Sequence, residues 1–297
     1  MAGNNSIKRD TGDIIFDVLN AILMLVLVFI TLYPMYYVIC ASFSNNVELI
    51  KSPGAIWAPK GFNIGAYKLA FSHPLIISGY TNIILIMLAS LPINILLTLF
   101  AGYFLAAKDV YFKGPVLTFI MFTMFFSGGM IPGYLNVRSL GLYNSLWALI
   151  IPGAMSVYNA IICKTAIEAV PDSLSESAYI DGANDITIIF RIVLPLIMPT
   201  IAVLLLYYGI GHWNSWFPAS LYIKDNPKLP IQNVLRAVLI ANSNIFNAAV
   251  TDDDRIKEFA ETIKYSAIVI TTVPVLFVYP FLQKHFVKGV MIGAVKG

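Results

Sequence analysis

The chain has 297 residues, of which 58% are hydrophobic and only 12% charged, where soluble domains carry about a quarter charged; this excludes a soluble globular protein. The formal net charge of +3 is the ordinary basic balance of a membrane protein and points to no nucleic-acid partner. Cys40 and Cys163 stand at the ends of separate apolar runs without ligand-like spacing, which argues against a disulfide framework or a metal site.

A membrane-spanning helix needs roughly 20 apolar residues. Six runs meet that length: 14–41, with the single acid Asp17 near its start; 82–107, followed by Lys108 and Asp109; 114–132, ending in SGGMIPG; 143–163, with Pro152 and Gly153 inside it; 197–223; and 263–282. Pro199, Pro218, Pro274 and Pro280 fall near ends or kinks, and breakers inside spans are tolerated where neighbours satisfy the freed backbone groups. A closed barrel would need strands of about 10 residues with alternating polarity, which is not the pattern. The first run is too long for the core of a cleavable signal and is expected to remain as a signal anchor. The fold class predicted is an all-α, multi-pass membrane protein of six helices.

Six spans put both termini on one side. The 19 Lys and Arg divide almost evenly between the two sides, but the basic residues of the short 108–113 connection and of the tail after Leu282 lie tight against the membrane. Weighting short flanks predicts cytoplasmic termini.

Residues 176–195, ESAYIDGANDITIIFRIVLP, form a polar island between these apolar spans. Ser173 and Glu176 have capping-box spacing for a helix start, Asp181-Gly182 makes a break, and a second amphipathic turn runs to Pro195. The expected structure is a short helix, a tight turn and another short helix. The chain contains no Gly-Lys dipeptide, hence no Walker-type phosphate loop, and no Asp, Glu, Lys or Arg at the centres of the spans for a proton relay. His212, in IGHWNSWFP, has no partner pattern that would make it a catalytic base. A chain that neither hydrolyses ATP nor couples to protons, yet presents an ordered polar island, takes its energy from a partner docked there.

The island resembles the EAA loop of bacterial ABC importer permeases, whose pattern is Glu-Ala-Ala, three residues, Gly, nine residues, Ile, one residue, Leu-Pro. Glu176, Ser177 and Ala178 stand at the triplet, followed by Gly182, Ile192, Leu194 and Pro195 at matching spacing; Ser177 for alanine is the one departure. The resemblance implies coupling helices that fit a cleft on a separate ATPase. Glu176 would offer charge to a basic partner residue, Ala178 allows close approach, Ser177 shows that its position tolerates a hydroxyl, and Asp181 and Gly182 make the turn. Ile192 and Leu194 would anchor the second helix to the membrane domain, and Pro195 would end it.

The tail HFVKGVMIGAVKG, residues 285–297, resembles the C-terminus of maltose-type carbohydrate permeases, which implies contacts of Lys288, Gly289, Gly293 and Lys296 with the ATPase pair. The segment SGGMIPGYL, 127–135, resembles permeases that import complex oligosaccharides, including uronate-containing ones. The implied fold is the type I, MetI-like importer membrane domain, five core spans preceded by one that packs against a second permease. It divides into a cytoplasmic N-terminus at 1–13, a permease domain at 14–283 with its coupling loop at 168–199, and a cytoplasmic tail at 284–297. The implied partners are a second homologous permease, ATPase subunits that carry ATP and Mg, and an extracytoplasmic solute-binding lipoprotein, all at the cytoplasmic membrane of a bacterium among its lipids. No cofactor is expected on this chain itself.

Oligosaccharides are held by aromatic faces and hydrogen bonds, and the fifth span carries Tyr207, Tyr208, His212, Trp213, Asn214 and Trp216. Tyr208, Trp213 and Asn214 are the substrate candidates. The long connections beginning PGAIWAPKGF and LPIQNVLRAV resemble outer loops against which a solute-binding protein sits. Asp252, Asp253 and Asp254 are adjacent acids without the spaced ligands of a calcium loop and read as a solvated face. The competing class is an ATP-independent facilitator or scaffold whose loop recruits a cytoplasmic regulator.

Overall fold

The computed structural model describes residues 10–51, 54–108, 110–240, 259 and 261–277. Regular structure among them is entirely helical. This is the economy a bilayer imposes, since a helix satisfies its backbone groups within one segment. The chain divides into two compact units.

The first unit takes in the described residues up to Ala70 and those from 259 to 269. Its main element is α1 (Thr11–Ser42), 32 residues or about 48 Å, longer than a hydrocarbon core. Asp10 caps it in a reciprocal box with Asp13. Every side chain from Thr11 to Leu32 is exposed, and burial begins only at Cys40, Ala41 and Ser42. There α2 (Asn46–Lys51) and the 54–64 loop fold back before α3 (Gly65–Ser72). Tyr33 accepts from the Ile56 amide at 3.0 Å, Tyr36 donates to the Trp57 carbonyl at 2.5 Å, and the Trp57 ring stacks on Phe29.

The second unit is built on α4 (Pro74–Ala106), 33 residues or about 50 Å. Leu75, Ile83, Ile86, Leu99 and Leu105 form its buried stripe, which also carries Asn82, Ser90, Asn94 and Thr98. The helices α8 (Val157–Glu168), α12 (Met198–Asn214) and α14 (Ile231–Leu239) pack against it. Gly102 makes the α8 approach possible: a Cβ there would lie 2.8 Å from Cys163 Sγ and 3.1 Å from the Lys164 amide nitrogen.

Three of the expected spans are broken. The run 114–132 is not one helix: α5 (Lys113–Phe125) ends at the Ser127-Gly128-Gly129 sequence, and α6 (Met130–Ser139) leaves at 112°. Ser and two Gly in succession have too little helix preference to carry the axis through. The run 143–163 supplies only α7 (Trp147–Ile150) before an irregular stretch at 151–156, then α8. Pro152 removes a donor and Gly153 adds backbone freedom. The freed carbonyls of Gly153 and Ala154 are both taken by Asn94 Nδ2, at 3.1 and 2.8 Å. In 197–223, α12 stops at Asn214 and α13 (Phe217–Tyr222) follows.

Among the described residues two helices, α1 and α4, are each long and apolar enough to cross a membrane, and counting each of two bent pairs as one span raises the number to four. A further apolar helix, α15 (Thr262–Phe277), lies in the sixth run, whose residues 278–282 are outside the described set.

Candidate functional site

The polar island folds as two short helices around a left-handed residue. The first, α9 (Asp172–Ile180), follows Pro171 with no side-chain cap, so Ser173 is not the capping residue its spacing suggests; Pro171 sets the entry and Asp172 starts the helix. Asp172 complements the helix dipole and pairs with Lys108, although both groups are exposed and such a pair contributes about 0–1 kcal/mol. The helix ends in a Schellman motif: the Gly182 amide donates to Tyr179 O at 3.0 Å and the Ala183 amide to Ala178 O at 2.9 Å. Gly182 has φ +81°, and no atom lies within 4 Å of the place a Cβ would take, so glycine is required there by conformation and not by space.

The second helix restarts at once. Asn184 Oδ1 accepts from the Thr187 amide and hydroxyl, both at 2.9 Å, capping α10 (Asp185–Ile188). A π-helical turn at Ile189–Val193 follows, then α11 (Leu194–Leu196), and the axis bends by 86° into α12. Ile188, Ile189, Val193 and Ile197 are buried with Leu99 of α4, Cys163 and Ile167 of α8, and Ile201 and Leu204 of α12. Each such side chain is worth roughly 1.5–3 kcal/mol in apolar burial, so the second helix is fixed to the helical core.

Of the island residues singled out in the sequence, Ile192, Leu194 and Ala178 pack against that cluster. Glu176, Ser177, Asp181, Gly182 and Pro195 are exposed. Sequence reasoning missed Tyr179, Asp185 and Tyr103. The Tyr179 hydroxyl donates to Asp185 Oδ1 at 2.5 Å, and Tyr103, near the end of α4, donates to the same oxygen at 3.1 Å. It also missed Ile180, which is 88% exposed beside Glu176 and Ser177. Lys288, Gly289, Gly293 and Lys296, like Asp252, Asp253 and Asp254, lie outside the described residues.

A cavity of about 930 Å³ opens between the 148–159 stretch and α12. Its wall includes Ser156, Tyr158, Asn159, Tyr207, Tyr208, His212 and Tyr222 and, among the described residues, no Asp, Glu, Lys or Arg. Tyr208 lines it, but its hydroxyl is already engaged, with Thr98 at 2.7 Å and with the Ser156 amide at 2.9 Å, so the ring face is what it presents. Trp213 and Asn214 are not in the wall: Trp213 is buried with Nε1 donating to Thr271 O at 3.3 Å, and Asn214 is exposed at the end of α12. The neighbouring aromatic ring pairs, Tyr134 with Tyr143 and with Tyr222, were not legible in the sequence because they come from three separate segments.

A sequence profile of the family described as "binding-protein-dependent transport system inner membrane component" matches residues 63–292. The chain belongs to this family. It is thus a permease subunit of a bacterial ABC importer, located in the inner membrane and built on the MetI-like fold. This permease is 40% identical over 283 residues to the polygalacturonan/rhamnogalacturonan transport system permease protein YtcP of Bacillus subtilis (strain 168), covering 95% of this chain and 99% of that one. It is 42% identical over 300 residues to protein LplC of the same organism, with 100% of both chains covered. Among solved structures it superposes with a TM-score of 0.87 and 27% identity on a chain from a bacterial ABC transporter involved in the import of the acidic polysaccharide alginate, covering 94% of this chain and 99% of that one. These matches give no support to an ATP-independent facilitator or scaffold.

Proposed function

We propose that this permease carries an oligosaccharide, of the class derived from pectic or other acidic polysaccharides, through the cavity beside α12. The observation that carries the reading is the uncharged cavity wall of tyrosines, Asn159, Ser156 and His212, set beside relatives named for polygalacturonan, rhamnogalacturonan and alginate. Aromatic faces and neutral hydrogen-bonding groups suit the apolar faces and hydroxyls of sugars.

In this reading the chain holds no ATPase site. ATP and Mg are bound by separate ATPase subunits, and a second permease and an extracytoplasmic solute-binding lipoprotein complete the complex. Glu176, Ser177, Ala178, Asp181 and Gly182 form the surface that enters the ATPase, and Ile180, nearly free of contacts, adds an apolar knob to it. Ile192, Leu194 and Pro195 transmit ATPase closure to the bend at Ile197, and the tail residues Lys288, Gly289, Gly293 and Lys296 add a second contact to the ATPase pair. The exposed length of α1 suits packing against the second permease and lipid. Residues 14–283 then form the membrane domain, with 1–13 and 284–297 cytoplasmic.

The test is reconstitution in proteoliposomes with a second permease, ATPase and binding protein from the same organism, followed by uptake of tritium-labelled fragments from a polygalacturonan digest. ATP-dependent accumulation is expected. Uptake of an amino acid or a metal chelate in place of every saccharide offered would refute the cargo assignment.

A further inference from the structure

The tautomer and the role of His212 follow from Asn94. Asn94 is fully buried, and its Nδ2 donates to two carbonyls, Gly153 O and Ala154 O. Both amide hydrogens are therefore used, and the atom turned toward His212 Nε2 at 2.9 Å is Oδ1, which can only accept. His212 Nε2 must carry the proton. In the neutral ring Nδ1 is then bare, a hydrogen-bond acceptor with no partner among the described residues, on a side chain in the cavity wall. Tyr208, one turn earlier, has its hydroxyl taken, so it cannot perform this reading.

We infer that His212 is the specificity-determining residue of this cavity, oriented by Asn94 so that Nδ1 accepts a hydrogen bond from a sugar hydroxyl. The inference rests on the saccharide reading of the cavity and goes further: the group recognised is a hydroxyl and not a carboxylate, because a neutral Nδ1 and an ionised carboxylate are both acceptors. With no Lys or Arg among the described residues of the wall, the acidic groups of a uronate find no counter-charge from them.

Two substitutions separate reading from bracing. In His212→Gln the amide nitrogen reaches the Nε2 position and keeps the bond to Asn94, while the Nδ1 acceptor is lost. In His212→Asn an acceptor stays near the Nδ1 position, but the side chain is too short for Asn94. In the reconstituted complex with the labelled polygalacturonan digest, His212→Gln is expected to assemble with the wild-type melting temperature. Its sugar uptake per ATP should fall about tenfold, the scale of one lost hydrogen bond. His212→Asn is expected to retain more uptake per ATP than His212→Gln, with a lowered melting temperature. Wild-type uptake per ATP in His212→Gln, or the reverse order of the two variants, overturns the role of His212 alone. A wild-type complex that takes up none of the digest while importing another class of solute overturns the saccharide reading and this inference with it.

Discussion

The Tyr179 phenol donates to Asp185 Oδ1 at 2.5 Å across the turn that Gly182 makes, and Tyr103 donates to the same oxygen from α4. One carboxylate therefore holds the last turn of α9, the first turn of α10 and the C-terminal end of the longest buried helix of its unit together. Asp185→Asn is predicted to insert normally and to lower uptake per ATP, with Tyr179→Phe giving a smaller loss in the same direction. The hydrogen bond to the Asp185 carboxylate raises the Tyr179 phenol above its ordinary value, opposed by the hydrogen bond with Tyr103 and reinforced by burial. The sign is that of a neutral form stabilised by folding: the contribution is complete below about pH 10 and is lost as pH rises through the raised value. Hydrogen exchange of residues 172–188 should show a protection advantage of the parent over Tyr179→Phe that is constant below about pH 10 and closes as pH rises through the alkaline range. Coincident profiles would remove the bond from the account.

Gly182 is open to any side chain in space but closed to most by its φ of +81°. The strain for an L-residue in the left-handed region is about 1–2 kcal/mol, and Asn tolerates it better than Ala or Val. The expected order of retained uptake is Gly, Asn, Ala, Val, with membrane levels unchanged. Gly182→Asp is expected to stay in the membrane and lose both uptake and ATPase coupling, since it adds a charge beside the exposed Glu176 and Asp181. Wild-type uptake in Gly182→Asp, with the subunits assembled, would dispose of the loop as a mechanical joint.

The two-helix form of the island was legible because its signals are local: Asp181-Gly182 is a break in any context, and the spacing from Glu176 to Pro195 is a fixed pattern. Long apolar runs likewise announced α1 and α4. What sequence could not supply was pairing at a distance. Asn94 is unremarkable in a run of apolar residues, and only the fold shows that it satisfies the backbone broken by Pro152 and Gly153, about 60 residues later. Apolarity also overstated helix continuity at 114–132 and 143–163, where Ser, Gly and Pro decided the local geometry and hydropathy did not. Trp213 shows the same limit: a residue type suited to sugar stacking is spent on packing when its indole finds Thr271 O and the Tyr80 ring.

Gly102 and Cys163 set the spacing of α4 and α8. Gly102→Ala is expected to destabilise by about 1–3 kcal/mol through overpacking, because the new methyl would meet Cys163 Sγ at 2.8 Å and Cys163 Cβ at 2.9 Å. Adding Cys163→Ala removes the sulfur but leaves its Cβ and the Lys164 backbone, so the double variant should recover part of the loss and not all. Melting of the detergent-purified complex reads both, and full additivity of the two single effects would show that the contact does not govern the spacing.

Asn144 organises the second unit's turn at Lys224–Lys228. It has φ +60°, its Oδ1 accepts from the amides of Lys224 and Asp225 at 3.0 and 3.1 Å, and its Nδ2 donates to Asp225 Oδ2 at 2.8 Å. Asn144→Gly keeps the backbone conformation at no steric cost and deletes all three bonds, so it isolates the side chain's contribution. A lower melting temperature and faster proteolysis at 224–228 are expected, with insertion unchanged. Asp225 is held below the usual carboxylate range, first by its hydrogen bond from Lys228 and then by that from Asn144. Its contribution is present above the ordinary carboxylate value and is lost as pH falls through the depressed one, so the proteolysis difference between parent and Asn144→Gly should be constant near neutrality and narrow only in acid, the two bonds to backbone amides remaining. A difference that instead vanished between pH 6 and 8 would assign the turn's stability to some other group.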